Sequence, residues 1–137
     1  MLTNPYTITE QLVGKSQGFM ARVVSPDGSG QVVGSEGKAI LPGDVSTIAC
    51  TVYDQDSQTP SEPFAVTITS AAILSTLTVA NNWALQDQIG YNFLFVVPGA
   101  NFAVAGHTYR IVFEITTTGG TPLGWYHLHS ALPKAPS

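Results

Sequence analysis

A chain of 137 residues suffices for one domain, and a domain of that size buries roughly two-thirds of its unfolded surface. Hydrophobic residues are 44% of it and charged residues only 10%, against about 25% in an ordinary globular domain, so the polar surface is left to Ser, Thr, Asn, Gln and backbone. The net charge is −4 and the five cations (Lys15, Arg22, Lys38, Arg110, Lys134) are scattered, which excludes the basic stripe a nucleic-acid partner requires.

No run of about 18 apolar residues occurs, so no transmembrane helix and no membrane partner are predicted. The start, Met1 to Tyr6, lacks a basic segment followed by an apolar one, so no signal peptide is read there. A lone Cys50 allows no internal disulfide. These features predict a protein made and kept in a reducing cytoplasm, whose release by lysis needs no signal.

In chain order, residues 1–17 have no lasting period and include Pro5. They read as an extended N-terminal arm, or an irregular lead-in strand, ahead of a sandwich domain over residues 18–137. Leu2, Tyr6, Ile8, Leu12 and Val13 are more apolar side chains than a disordered polar tail carries. They are therefore predicted to be a protein interface, loosely held in a monomer and fixed by a neighbouring subunit. On that expectation, deleting residues 1–17 leaves a folded sandwich and removes only assembly.

From Gly18 onward, alternating segments are separated by turn chemistry, as in a β meander or Greek key. Short strands are predicted over residues 19–24, 31–33 and 38–41, with Pro26-Asp27-Gly28 between the first two as a strong turn. Residues 46–53 alternate, with Ile48, Cys50 and Val52 on one side and Thr47, Thr51 and Tyr53 on the other. A polar break over residues 54–63 precedes a strand at 64–69. Residues 70–85 fit a helical turn or another strand equally well by periodicity. Residues 91–97 are apolar on both faces, which predicts a central strand covered on both sides. Residues 107–116 set Tyr109, Ile111, Phe113 and Ile115 against Arg110, Val112 and Glu114. Gly119-Gly120 then has tight-hairpin chemistry, and residues 123–129 close the hairpin. The sum is an all-β sandwich of about seven to eight strands.

The stretch from Val97-Pro98-Gly99 through Gly106-His107-Thr108-Tyr109 resembles the late-strand corner of immunoglobulin-like domains. The resemblance implies a structural corner in which Gly106 permits the sharp turn and Tyr109 buries its ring while its hydroxyl bonds back to the backbone. Asp54-x-Asp56 through Pro63, Trp83, Gly90-Tyr91-Asn92-Phe93 and this corner also resemble small immunoglobulin-like proteins encoded among phage structural genes. The resemblance covers residues 45–130 as a pattern, and no site transfers with it. The Cys–Trp–Cys signature of antibody domains is absent.

Chemistry-bearing motifs are few. His127-x-His129 places two imidazoles on one side of a strand, and a metal there would need His107 and Glu114 as further ligands. The set is incomplete, and the pair reads as polar edge-strand residues beside Trp125, with no metal or other cofactor predicted. Asp54-x-Asp56-x-Gln58 has the oxygen spacing that begins a calcium loop. Thr59 and Ala65 replace the Gly and Glu such a loop requires, so the motif reads as a turn held by Asp side chains. Cys50, on an apolar strand face, reads as a small hydrophobe. No nucleophile elbow, phosphate loop or zinc-protease motif is present, and no catalytic residue is predicted. Trp83, Trp125 and Tyr126 form a candidate sugar-stacking set.

The expectation is thus a non-enzymatic structural protein of a phage virion, most of all a capsid decoration or cement protein, otherwise a neck or tail component. Its expected partners are other virion proteins and copies of itself. A carbohydrate- or surface-binding immunoglobulin-like module is the alternative.

Overall fold

Where apolar and polar side chains alternate, the backbone has to extend so that one face can be buried. The computed structural model, which describes residues 2–3, 8–25, 31–32, 38–57, 64–78 and 90–133, follows that rule. Eleven strands occur among the described residues: β1 (Leu2–Thr3), β2 (Ile8–Leu12), β3 (Gln17–Ser25), β4 (Gln31–Val32), β5 (Lys38–Ala39), β6 (Val45–Asp54), β7 (Phe64–Val66), β8 (Ile73–Thr78), β9 (Tyr91–Val97), β10 (Thr108–Thr117) and β11 (Pro122–Leu132). The only helical pieces described are one-turn 3-10 segments at Pro42–Asp44, Ser70–Ala72 and Gly99–Asn101.

The strands form two sheets. One runs β4-β5-β3-β9-β8, with β1 also paired to β3, and the other runs β2-β11-β10-β6-β7. Their inner faces supply one core. Phe93 of the first sheet meets Phe113 and Trp125 of the second edge-on, with ring centroids 4.7 and 4.9 Å apart. Phe19, Ala21, Val23 and Val97 join Cys50, Val52, Ile111 and Ile115 around them. The architecture is all-β in two sheets and compatible with a sandwich.

The β10–β11 hairpin is set by its turn. Gly120 adopts φ 89°, a value that glycine accepts without strain, and its N–H donates to Thr117 O at 2.9 Å. That turn fixes a register in which Phe113 opposes Trp125 and Ile111 opposes His127. On β6, Cys50 and Val52 are buried and Ala49 is exposed, as the alternation demands.

Four stretches differ from expectation. Within the lead-in expected as an arm, Leu2–Thr3 pair with β3 of one sheet, and Ile8–Leu12 pair in parallel with β11 of the other. For β2 the physical reason is a partner some 120 residues away, beyond the reach of any local period. Val13 packs against the core and Leu12 is exposed. Tyr6 lies outside the described residues, and Leu2 and Ile8 are placed only by backbone register. Residues 70–78 resolve into a 3-10 turn followed by strand β8, with Thr69 Oγ1 accepting the Ala71 N–H at 3.3 Å. The strand expected at 64–69 stops at Val66, and Phe64 is exposed at the sheet edge. On β9, expected to be covered on both faces, Val96 is exposed.

Where the β3–β9 ladder ends at Ala21, a side chain continues it. Asn92 accepts the Val23 N–H at 2.7 Å and donates to Val23 O and Ile40 O at 2.9 and 3.1 Å. A buried amide thus adds partners for backbone groups beyond the end of that ladder, where Val23 O also accepts the Ile40 N–H at 3.1 Å.

Candidate functional site

Two places gather polar chemistry: the interior beneath β2, and the corner where the chain enters β10. In the interior, the register puts Trp125, His127 and His129 on the core face of β11, which is flanked by β10 and β2. Both histidines are fully buried, so the expected edge-strand placement is corrected: a strand with a neighbour on each side has no solvent-facing edge.

Each imidazole is engaged by the fold. The Trp125 indole N–H, which can only donate, donates to His127 Nε2 at 3.2 Å, so that nitrogen carries its lone pair and His127 is neutral. His129 Nδ1 lies 2.6 Å from Thr9 Oγ1, a contact that ties β2 to β11 through side chains as well as backbone. Its Nε2 is buried without a hydrogen-bond partner among the described residues. Phe19 and Phe102 flank the ring, with centroids 6.1 and 4.3 Å away. Burial in that apolar setting pushes the His129 pKa down to about 4, because the protonated ring loses its hydration there.

The metal-ligand set weighed from sequence is dispersed. Glu114 is exposed on the outer face of the second sheet, and His107 sits at the corner against Asp54. Among the described residues no group of three or more His, Cys, Asp or Glu side chains could hold a metal ion. Cys50 is buried, and desolvation pushes its thiol up to about 12, which suppresses the nucleophilic thiolate at neutral pH.

At the corner, Gly106 adopts φ 83° and its N–H donates to Ala131 O at 2.7 Å. Tyr109 is buried, and its hydroxyl accepts the Val104 N–H at 3.0 Å. The Tyr109 pKa is raised, first by burial and further by the carboxylates of Asp54 and Asp56, against the lowering effect of the backbone bond. His107 Nδ1 donates to the Asp54 carboxylate at 2.8 and 3.0 Å. Asp54 also accepts the Asp56 N–H at 3.0 Å, and Asp56 accepts the Thr108 N–H at 2.6 Å. The acidic pair therefore spends oxygen lone pairs on backbone, as a turn does. Beside it lies a hollow of about 230 Å³ lined by Asp54, Ser57, Phe64, Asn101, Val104 and Tyr109, among others.

The remaining aromatic candidates separate. Trp125 is buried in the core, Tyr126 points outward from the same strand, and Trp83 lies outside the described residues. Trp125 and Tyr126 thus share no platform. Sequence reasoning missed the inward direction of His127 and His129. The signal was available in Gly119-Gly120, since a tight hairpin sets them opposite the apolar positions Ile111 and Tyr109.

The chain matches no family model, and comparison with curated proteins and with solved structures gives no significant match.

Proposed function

We propose that this chain is a non-enzymatic structural protein of a phage particle, a capsid decoration or cement protein or a neck or tail component, built as an immunoglobulin-like sandwich. The strand order supports the fold assignment. A lead-in divided between two sheets, with β1-β3-β9-β8 in one and β2-β11-β10-β6-β7 in the other, fits the order of an immunoglobulin-like domain if β4 and β5 are read as an inserted hairpin. The bond from Tyr109 near the start of β10 back to Val104 has the form of a tyrosine corner.

The observation that carries the functional assignment is the distribution of exposed apolar side chains. Tyr126 (55% exposed) stands on the outer face of one sheet and Val96 (54%) on the outer face of the other. Leu12 and Leu132, at 40% and 38%, pair with each other where β2 meets β11. A component of a packed shell meets neighbours on several sides, and apolar side chains set apart in this way suit such contacts. Low charge suits repeated burial of this kind, because few ions have to be desolvated.

The test is to purify particles from the source culture on a density gradient and measure the chain by mass spectrometry. A constant ratio to the major shell protein through the particle peak is expected. Recovery only in the soluble fractions overturns the proposal.

A further inference from the structure

Register divides the outer face of the second sheet into rows that cross the strands. Across β6, β10 and β11, the three inner strands, the central row is Thr51, Val112 and Tyr126. On one side of it lie Ala49, Glu114 and Gly124, and on the other Tyr53, Arg110 and Leu128. The first flanking row reads small, acidic, small. The second reads large, basic, large. The two rows are complementary in size and in charge, position by position.

A flat sheet cannot bring its own two flanking rows together, but a second sheet can. We propose that this face binds a second copy of the chain about a two-fold axis lying in the contact along the central row. Rotation about that axis reverses the strand direction and keeps each strand opposite its own copy. The central row meets itself, and each flanking row meets the other row of the second copy, twice per dimer. This is the reciprocity a two-fold contact requires.

Three local features fit that contact. Gly124 lies inside a strand, where glycine has no side chain to pack and marks close approach of another group. Its own domain does not demand it: an added Cβ would meet only Phe113 O at 3.7 Å and the Glu114 Cγ at 3.9 Å, ordinary contacts, and its φ is not among the positive ones. The open space therefore suits Leu128 of the facing copy. Arg110 holds its guanidinium over the Tyr53 ring at 4.8 Å. A facing Glu114 carboxylate supplies an acceptor for that guanidinium and shares its desolvation. Beyond the flanking rows the face is mostly polar, with Thr47 and Thr116 beside Pro122 at one end and Thr108 and Ser130 at the other, as a rim is. The pairing concerns two copies of this chain alone and stands independently of the particle assignment.

Sedimentation equilibrium on the full chain over a range of concentrations tests it, with thermal melts to verify folding. The wild type is expected to pass from monomer to dimer as concentration rises, and more weakly at high salt, because two charge pairs are screened. Glu114→Arg and Arg110→Glu, each alone, are expected to weaken the dimer by about tenfold or more, and the double exchange to restore it to within about threefold. Gly124→Val fills the space left for Leu128 and should weaken the dimer while its melt stays near native. Val96→Thr, on the opposite sheet, should leave it unchanged. A wild type that stays monomeric up to about millimolar concentration, where even weak contacts register, overturns the inference. So does a dimer indifferent to Gly124→Val, one lost on Val96→Thr, or a double exchange that fails to restore what the single reversals removed.

Discussion

His129 and His107 lie on the same two-stranded hairpin system and have opposite lives. His129 is enclosed by Phe19 and Phe102, bonded to Thr9 and pushed down to a pKa of about 4. His107 is part-exposed at the corner and donates to a carboxylate. One site tolerates only a neutral ring, whereas the other gives its ring N–H a carboxylate acceptor. The difference follows from position: β2 covers His129 on one side and the first sheet covers it from above, whereas His107 precedes β10 at the end of the sheets. Histidine chemistry in this fold is decided by which strand lies next door.

The largest effect should come from removing that neighbour. Deleting residues 1–12 removes the five pairs Ile8 to Leu12 make with β11 and takes Thr9 from His129. We expect loss of cooperative unfolding, or a loss of stability on the order of 4 kcal/mol or more, since buried polar groups and core side chains are uncovered together. Denaturant unfolding followed by tryptophan fluorescence measures it. A near-native transition would mean that β2 is an arm after all and that His129 is sheltered by other elements.

The second test is pH. The folded pKa of His129, about 4, lies below the ordinary 6.5, so the unfolded chain binds the proton more readily. The stability held by the neutral ring is complete above pH 6.5, falls as pH drops toward 4, and changes no further below that. The full span is on the order of 3 kcal/mol. Melting temperatures measured from pH 7.5 to 4.5 should decline in the wild type and flatten in His129→Leu. An equal slope in both proteins would place the acid sensitivity elsewhere.

The smallest effect belongs to the corner. Tyr109→Phe removes the acceptor of the Val104 N–H and should cost about 1 kcal/mol, since the ring stays buried and only one hydrogen bond is lost. A neutral result in chemical denaturation would leave the ring alone as the corner's anchor.

The parts legible in the sequence were those with a one-sided period. Residues 46–53 and 107–116 alternate cleanly because one face of β6 and β10 is buried and the other is not. The Asp54–Asp56 turn was legible because its chemistry is local. The β2 strand was not, since its partner is near the far end of the chain and Ile8-Thr9-Glu10-Gln11-Leu12 turns polar, half-buried Thr9 toward His129. His127 and His129 were misplaced for a related reason. Polar residues on an inward face invert the usual pattern, and only the hairpin register reveals them.

The parallel pairing of β2 with β11 has a mechanical consequence. The strands come from opposite ends of the described chain and point the same way, with five residue pairs in register. Tension applied through the chain before β2 and beyond β11 therefore slides one strand lengthwise against the other. Every rung of the ladder resists at once, where an antiparallel hairpin pulled from its open ends would yield one rung at a time. A domain held from both ends would be stiffest along the line joining its own termini.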